Sequence, residues 1–138
     1  MFRSWRAALF ILACGVFAGV TTLPAGALLI VAAVIFAAVV SPAIYPRPVT
    51  SAVASARSAS DGKPVVYWRP GCPFCLRLRA VAGLRPGRAH WVNIWTDPEG
   101  AARVRSVADG NETVPTVFAG GSATVNPAPA TFRALLGS

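Results

Sequence analysis

Lysine is nearly missing from this 138-residue chain: of thirteen basic residues only Lys63 is not arginine. The arginines are scattered, with no basic run and no interleaved aromatic platform. A formal net charge of +8 therefore does not amount to a nucleic-acid footprint. Charge of either sign is absent from Ala7 to Tyr45, which excludes a single ordinary soluble domain. Cysteine is scarce: Cys14, Cys72 and Cys75 are the only three, and His90 is the only histidine. No second C-x-x-C accompanies Cys72 and Cys75, and structural zinc sites usually take four ligands, so a metal site is not expected. No internal repeat is present.

The uncharged run is interrupted at Thr21-Thr22-Leu23-Pro24-Ala25-Gly26, where threonine, proline and glycine are turn and helix-boundary signals. A bilayer core takes about twenty apolar residues per crossing. Residues 1–45 thus read as a membrane anchor of two transmembrane helices, about 5–22 and 25–45. Arg3 and Arg6 precede the first, Arg47 and Arg57 follow the second, and the turn carries no charge. By the positive-inside rule both ends, and the C-terminal domain, face the cytoplasmic side of the plasma membrane. Trp5 and Tyr45 stand at interfacial positions. Two alternatives stay open. Met1–Ala27 reads also as a signal peptide, which leaves Leu28–Tyr45 as an anchor and puts the domain in oxidising surroundings. The run could also form one long kinked segment. Gly15, Ala18 and Gly19 share a side of the first helix, where small residues permit close packing on a membrane partner. Cys14 reads as a small lipid- or helix-facing residue.

Residues 46–62 are rich in Ser, Ala and Pro and poor in large apolar side chains, which predicts a flexible linker. Residues 63–138 then read as a small domain. A strand over Pro64–Trp68 runs through Arg69-Pro70-Gly71 into Cys72-Pro73-Phe74-Cys75 at the start of a helix, Pro73–Leu84. Thiolate is the reactive form of cysteine, and the unpaired N–H groups of a helix N-terminus stabilise it. Pro73 suits the first helical position, and Cys75 falls on the same face as Cys72. A C-x-x-C after a strand reads as a redox dithiol; a purely structural disulfide this short would add little loop-closure stabilisation.

Further on, His90–Trp95 alternates as a strand. Asp97 and Pro98 start a helix running to about Ala108. Thr116–Ala119 and Ala123–Val125 form a hairpin around Gly120-Gly121-Ser122, and Pro127–Leu136 closes the chain as a helix. This βαβ-α-ββ-α order is an α/β, thioredoxin-fold layout. In Thr113-Val114-Pro115-Thr116 a proline opens a strand, a placement confined to edge or special positions.

Cys72-Pro73-Phe74-Cys75-Leu76-Arg77-Leu78, with Asn111-Glu112-Thr113-Val114-Pro115-Thr116-Val117, Gly121-Ser122 and Asn126-Pro127, resembles the glutaredoxin family, and within it the actinobacterial mycoredoxins. The resemblance spans about Val65 to Leu136 and omits the membrane segment. It implies a thiol–disulfide oxidoreductase with Cys72 as nucleophile and Cys75 as resolving thiol. It implies a cis Pro115 across from the dithiol, with Val114 offering its backbone to substrate beside Thr113. Arg69 and Arg77 are expected to favour the Cys72 thiolate, although Arg77 could equally point to solvent; Phe74 is expected to wall the site, with simple packing as its alternative. Glutathione-using members carry acidic residues after a Gly-Gly; residues 120–127 here contain none. The resemblance therefore implies mycothiol, ahead of glutathione, as cosubstrate, with protein mixed disulfides as partners, no bound cofactor and no nucleic acid. Two readings of another kind accompany it: a non-catalytic redox sensor or electron relay for a membrane-protein partner, and an extracytoplasmic thiol oxidase.

Overall fold

The computed structural model describes residues 6–21, 26–40, 47–83 and 87–137. They fall into two units, Met1–Ile44 and Tyr45–Ser138.

The first unit pairs two apolar helices, α1 (Arg6–Thr21) and α2 (Gly26–Val40). Small residues make their seam. A methyl added to Gly15 would collide with the Ala33 side chain, and one on Gly26 would collide with the Gly19 carbonyl. Gly15 and Gly19 are thus taken up between α1 and α2 rather than kept for another protein. Large apolar side chains point outward, among them Phe10, Phe17, Leu28 and Phe36. The expectation of two membrane-crossing helices is not supported: among the described residues no helix is long and apolar enough to cross a membrane. The reason is length. The helices have 16 and 15 residues, which at the α-helical rise is about 24 and 22 Å, against about 30 Å of hydrocarbon. Arg3, Trp5, the turn residues 22–25 and Tyr45 lie outside the described residues.

In the second unit, Val65–Trp68 is an unbroken apolar run of the kind that suits a strand covered on both faces. It forms β1, all four residues buried, at the centre of a sheet ordered β2-β1-β3-β4. β2 (His90–Asn93) runs parallel to β1, while β3 (Thr116–Ala119) and β4 (Ser122–Val125) are antiparallel additions. Tyr67 projects to one face, edge-on to Phe118 at 5.4 Å. Trp91 projects to the other, edge-on to Phe132 at 6.5 Å. Helices α4 (Pro73–Ala82) and α6 (Pro129–Leu135) cover the Trp91 side, and α5 (Pro98–Arg105) lies on the Tyr67 side. There Gly100 is required by contact: a Cβ would sit 2.9 Å from Val92 Cγ1 and 3.3 Å from Tyr67 Cε1.

The expected flexible linker is corrected. Ser51–Asp61 is a helix, α3, capped by Thr50 at its start and by left-handed Gly62 at its end. Its own side chains bury little, but tertiary bonds hold it. Ser51 N–H donates to Asp97 Oδ2, and Ser51 Oγ lies 2.9 Å from the Tyr67 hydroxyl. Ala54 is fully buried. Asp97 Oδ1 also accepts Gly100 N–H at 3.0 Å, so one buried carboxylate caps α5 and pins α3. Element ends shift as well. β2 stops at Asn93 because its Oδ1 accepts Trp95 N–H at 3.0 Å and turns the chain. α5 ends at Arg105 rather than near Ala108. The helix expected over Pro73–Leu84 ends at Ala82, with Gly83 as its C-cap; Leu84 lies outside the described residues.

Candidate active site

β1 ends at Trp68, and Gly71 takes φ 76° to turn the chain. Pro73 then occupies the start of α4 with Cys72 as N-cap. This puts the Cys72 sulfur where a helix presents unpaired N–H groups. Cys75 N–H donates to Cys72 Sγ at 3.2 Å, and the Cys72 thiol donates to the Val114 carbonyl at 3.4 Å. Both sulfurs are free thiols. Cys72 is buried at 6 % exposure and Cys75 is completely covered.

The two thiols are driven apart electrostatically. A hydrogen bond from the Cys75 side chain pulls the Cys72 pKa down to about 6, against the upward push of burial. The Cys75 N–H, the Arg69 guanidinium and the Phe74 N–H add to the lowering. Cys75 moves strongly upward, because its thiol is the donor to Cys72, because it is buried and because a Cys72 thiolate lies beside it. At neutral pH the arrangement holds an outer thiolate over an inner thiol, which is the pairing thiol–disulfide exchange requires.

The Val114–Pro115 peptide bond is cis, as the resemblance implied. Val114 and Thr113 line an open cleft of about 470 Å³ that contains Cys72, Arg69 and Phe74. Pro115 itself is buried and does not line it. Arg77 departs from expectation. It does not line the Cys72 cleft and is not among the groups that lower the Cys72 pKa; its guanidinium lies over the Phe74 ring, 5.2 Å from the centroid. Three cleft residues had no role in the sequence reading: Asn111, Glu112 and Asn126. Glu112 is held by Arg105 Nη1 at 2.6 Å. Gly120 and Gly121 form the β3–β4 turn and line a separate hollow with Arg103 and Phe118. Among the described residues no group of three His, Cys, Asp or Glu is placed to hold a metal ion.

Residues 65–123 match the glutaredoxin family model. The match runs from the first residue of β1 into β4 and includes the dithiol, the cis-proline loop and β2. It covers less than half of the chain, so α1, α2 and α3 lie outside it. The similarity supports thiol–disulfide oxidoreductase chemistry at the matched residues. Among curated proteins and solved structures, nothing matches the chain.

Proposed function

We propose that the protein is a membrane-attached, mycoredoxin-like reductase of mixed disulfides between proteins and a low-molecular-weight thiol. The observation that carries the reading is the Cys72 sulfur at the α4 N-cap, bonded by Cys75 N–H and facing the Val114 carbonyl. The Cys72 thiolate attacks the small-thiol sulfur of the mixed disulfide. A Cys72–S–S–R bond forms, the sulfur–sulfur bond between the small thiol and the protein breaks, and the departing protein thiolate takes a proton from solvent. A second small thiol, as thiolate, attacks the adduct, forms R–S–S–R and returns Cys72 as thiolate. The small thiol is thus the reductant: one R–SH is consumed per cycle, the protein sulfur is reduced to a thiol, and both R sulfurs leave as R–S–S–R. Cys75 serves the dithiol route, closing on Cys72 when a protein remains attached, and it shields Cys72 from overoxidation.

Mycothiol is favoured over glutathione by the lack of an acidic residue in 120–127, since mycothiol has no glutamyl zwitterion to bind. Asn111 and Asn126 give the cleft neutral amide partners, and Glu112 is occupied by Arg105. Attachment to the plasma membrane through α1 and α2, with the glutaredoxin domain on the cytoplasmic side, is supported by the uncharged run and by the outward-facing Phe10, Phe17, Leu28 and Phe36. The flanking arginines support that side.

The test is turnover by the full-length chain, in nonionic detergent, of protein mixed disulfides of mycothiol and of glutathione. Mycothiol-dependent turnover lost in Cys72→Ser and kept in Cys75→Ser is the expected result. Equal loss in both variants would replace the monothiol route with dithiol exchange, and no turnover with either thiol would end the reductase reading.

A further inference from the structure

The hollow between α3, α5 and the β3–β4 turn takes no part in the thiol chemistry. β1 enters the sheet at Val65, which lines this hollow, and leaves it at Trp68, just ahead of Cys72. The hollow and the Cys72 cleft thus stand at opposite ends of β1, and they share no lining residue. At about 390 Å³ the hollow falls within the range of small-molecule sites, about 300–1,000 Å³. Its wall includes Ser55 and Ser58, which lie outside the residues that match the glutaredoxin family model.

We propose that this hollow binds the phosphate group of a phosphate monoester, with Arg103, Ser55 and the N–H groups of Gly120 and Gly121 as donors. Charge sets the sign. No acidic residue lines the hollow, and Asp61, next to Gly62 in sequence, is paired with Lys63 and His90. Among the described residues Arg103 has no carboxylate within ion-pair distance. Its guanidinium is held in place by other means. It lies over the Phe118 ring, 4.6 Å from the centroid, and Nη1 donates to Ser55 Oγ at 2.6 Å. That bond takes one N–H, and the rest of the fork remains for a ligand. Because Ser55 Oγ is the acceptor there, its own hydroxyl proton is left to donate. The Ser58 hydroxyl is given to the Lys63 carbonyl and adds no donor. Gly120 and Gly121 make the turn at φ 55° and 80°, and neither N–H donates to a backbone carbonyl. A Cβ on either would meet nothing within 4 Å, so the space beside them is open. Successive N–H groups in a turn form anion-binding concavities. Donor placement chooses the anion: groups from α3, α5 and a turn suit a tetrahedral phosphate better than a planar carboxylate. The volume is larger than a bare phosphate fills, which leaves space for the ester's organic group.

The experiment follows the Gly120 and Gly121 amide resonances of the isotope-labelled full-length chain in nonionic detergent. Glycerol phosphate and acetate are titrated at constant ionic strength, and phosphatidic acid is compared with phosphatidylcholine in mixed micelles. Saturable shifts with a phosphate monoester are expected, with acetate weaker by about tenfold or more, the scale of one charge-assisted hydrogen bond. Arg103→Met should weaken the monoester by a similar factor, and Ser55→Ala by about fivefold. Cys72 reactivity toward a dipyridyl disulfide should stay at the wild-type rate in both variants, which reports an intact fold. If Arg103→Met loses that reactivity, Ser55→Ala carries the test. Shifts with glycerol phosphate in plain micelles name a soluble monoester as the source, and shifts with phosphatidic acid alone name a lipid headgroup; either upholds the site. No saturable shift with any phosphate probe overturns it. So does acetate binding as tightly as glycerol phosphate, or monoester binding unchanged in folded variants.

Discussion

Replacing Cys75 by Ala should move the Cys72 pKa upward, and the size of that movement follows from the site. The Cys75 thiol is the largest influence lowering Cys72 to about 6. A hydrogen bond to a charged group is worth about 1.5–3 kcal/mol, and one pKa unit about 1.4 kcal/mol, so loss of a strong donor would raise the pKa by about one to two units. A thiol is a weak donor, which places the expectation near the lower end, with a midpoint at about 7. At pH 7 the thiolate fraction then falls from about nine-tenths to about one half. Intrinsic nucleophilicity moves the other way, rising about threefold per unit of pKa. The two effects cross. Against a neutral dipyridyl disulfide, Cys75→Ala should react about threefold faster than wild type on the alkaline plateau and about threefold slower near pH 5. Cys75→Ser, which keeps a donor, should stay closer to the wild-type profile. Initial rates from pH 4 to pH 9 read this directly. An unmoved midpoint near 6 in Cys75→Ala would refute the assignment of the low pKa to the buried partner.

Arg69→Ala should raise the same midpoint by less than Cys75→Ala, because Arg69 ranks below both Cys75 hydrogen bonds among the lowering influences; thiolate absorbance against pH measures it. Asp97→Ala leaves the Ser51 and Gly100 N–H groups without their carboxylate. It should cost about 1–3 kcal/mol in urea unfolding and increase amide exchange in α3. Gly100→Ala forces a methyl to within 2.9 Å of Val92 Cγ1; overpacking of about 1–3 kcal/mol against about 1 kcal/mol of helix propensity leaves a net loss of up to about 2 kcal/mol in the same assay.

Local chemistry made most of the second unit readable in advance. β1 is a run of four consecutive apolar residues, Cys72-Pro73 is a cap followed by a first-turn proline, and Asp97-Pro98 repeats the same grammar at α5. The dithiol and the Val114-Pro115 loop were each recognisable from neighbouring residues, and the fold brings them within 3.4 Å of each other. What escaped depends on distance in sequence. In Ser51–Asp61 the local signals are the caps at Thr50 and Gly62, while the buried contacts that hold the helix are with the distant Tyr67 and Asp97. Asn111 and Asn126 come to Cys72 from separate loops, and neither carries a local signal of its place in the cleft. Arg77 follows Cys75 by two residues, which suggested help for the thiolate, yet its guanidinium lies over Phe74 and borders a different hollow. In α1 and α2 composition revealed apolar helices, but not that Gly15 and Gly19 would be spent on the contact of α1 with α2.

On the proposed route, Cys72 takes the small-thiol half of a mixed disulfide and releases the protein. Intact-mass analysis of full-length Cys75→Ser, treated with one equivalent of a peptide–mycothiol mixed disulfide and quenched with acid, tests it in one step. A mycothiol adduct on Cys72 and free peptide thiol in equal amount are expected. A peptide adduct on Cys72 with free mycothiol, or no adduct at all, would contradict it.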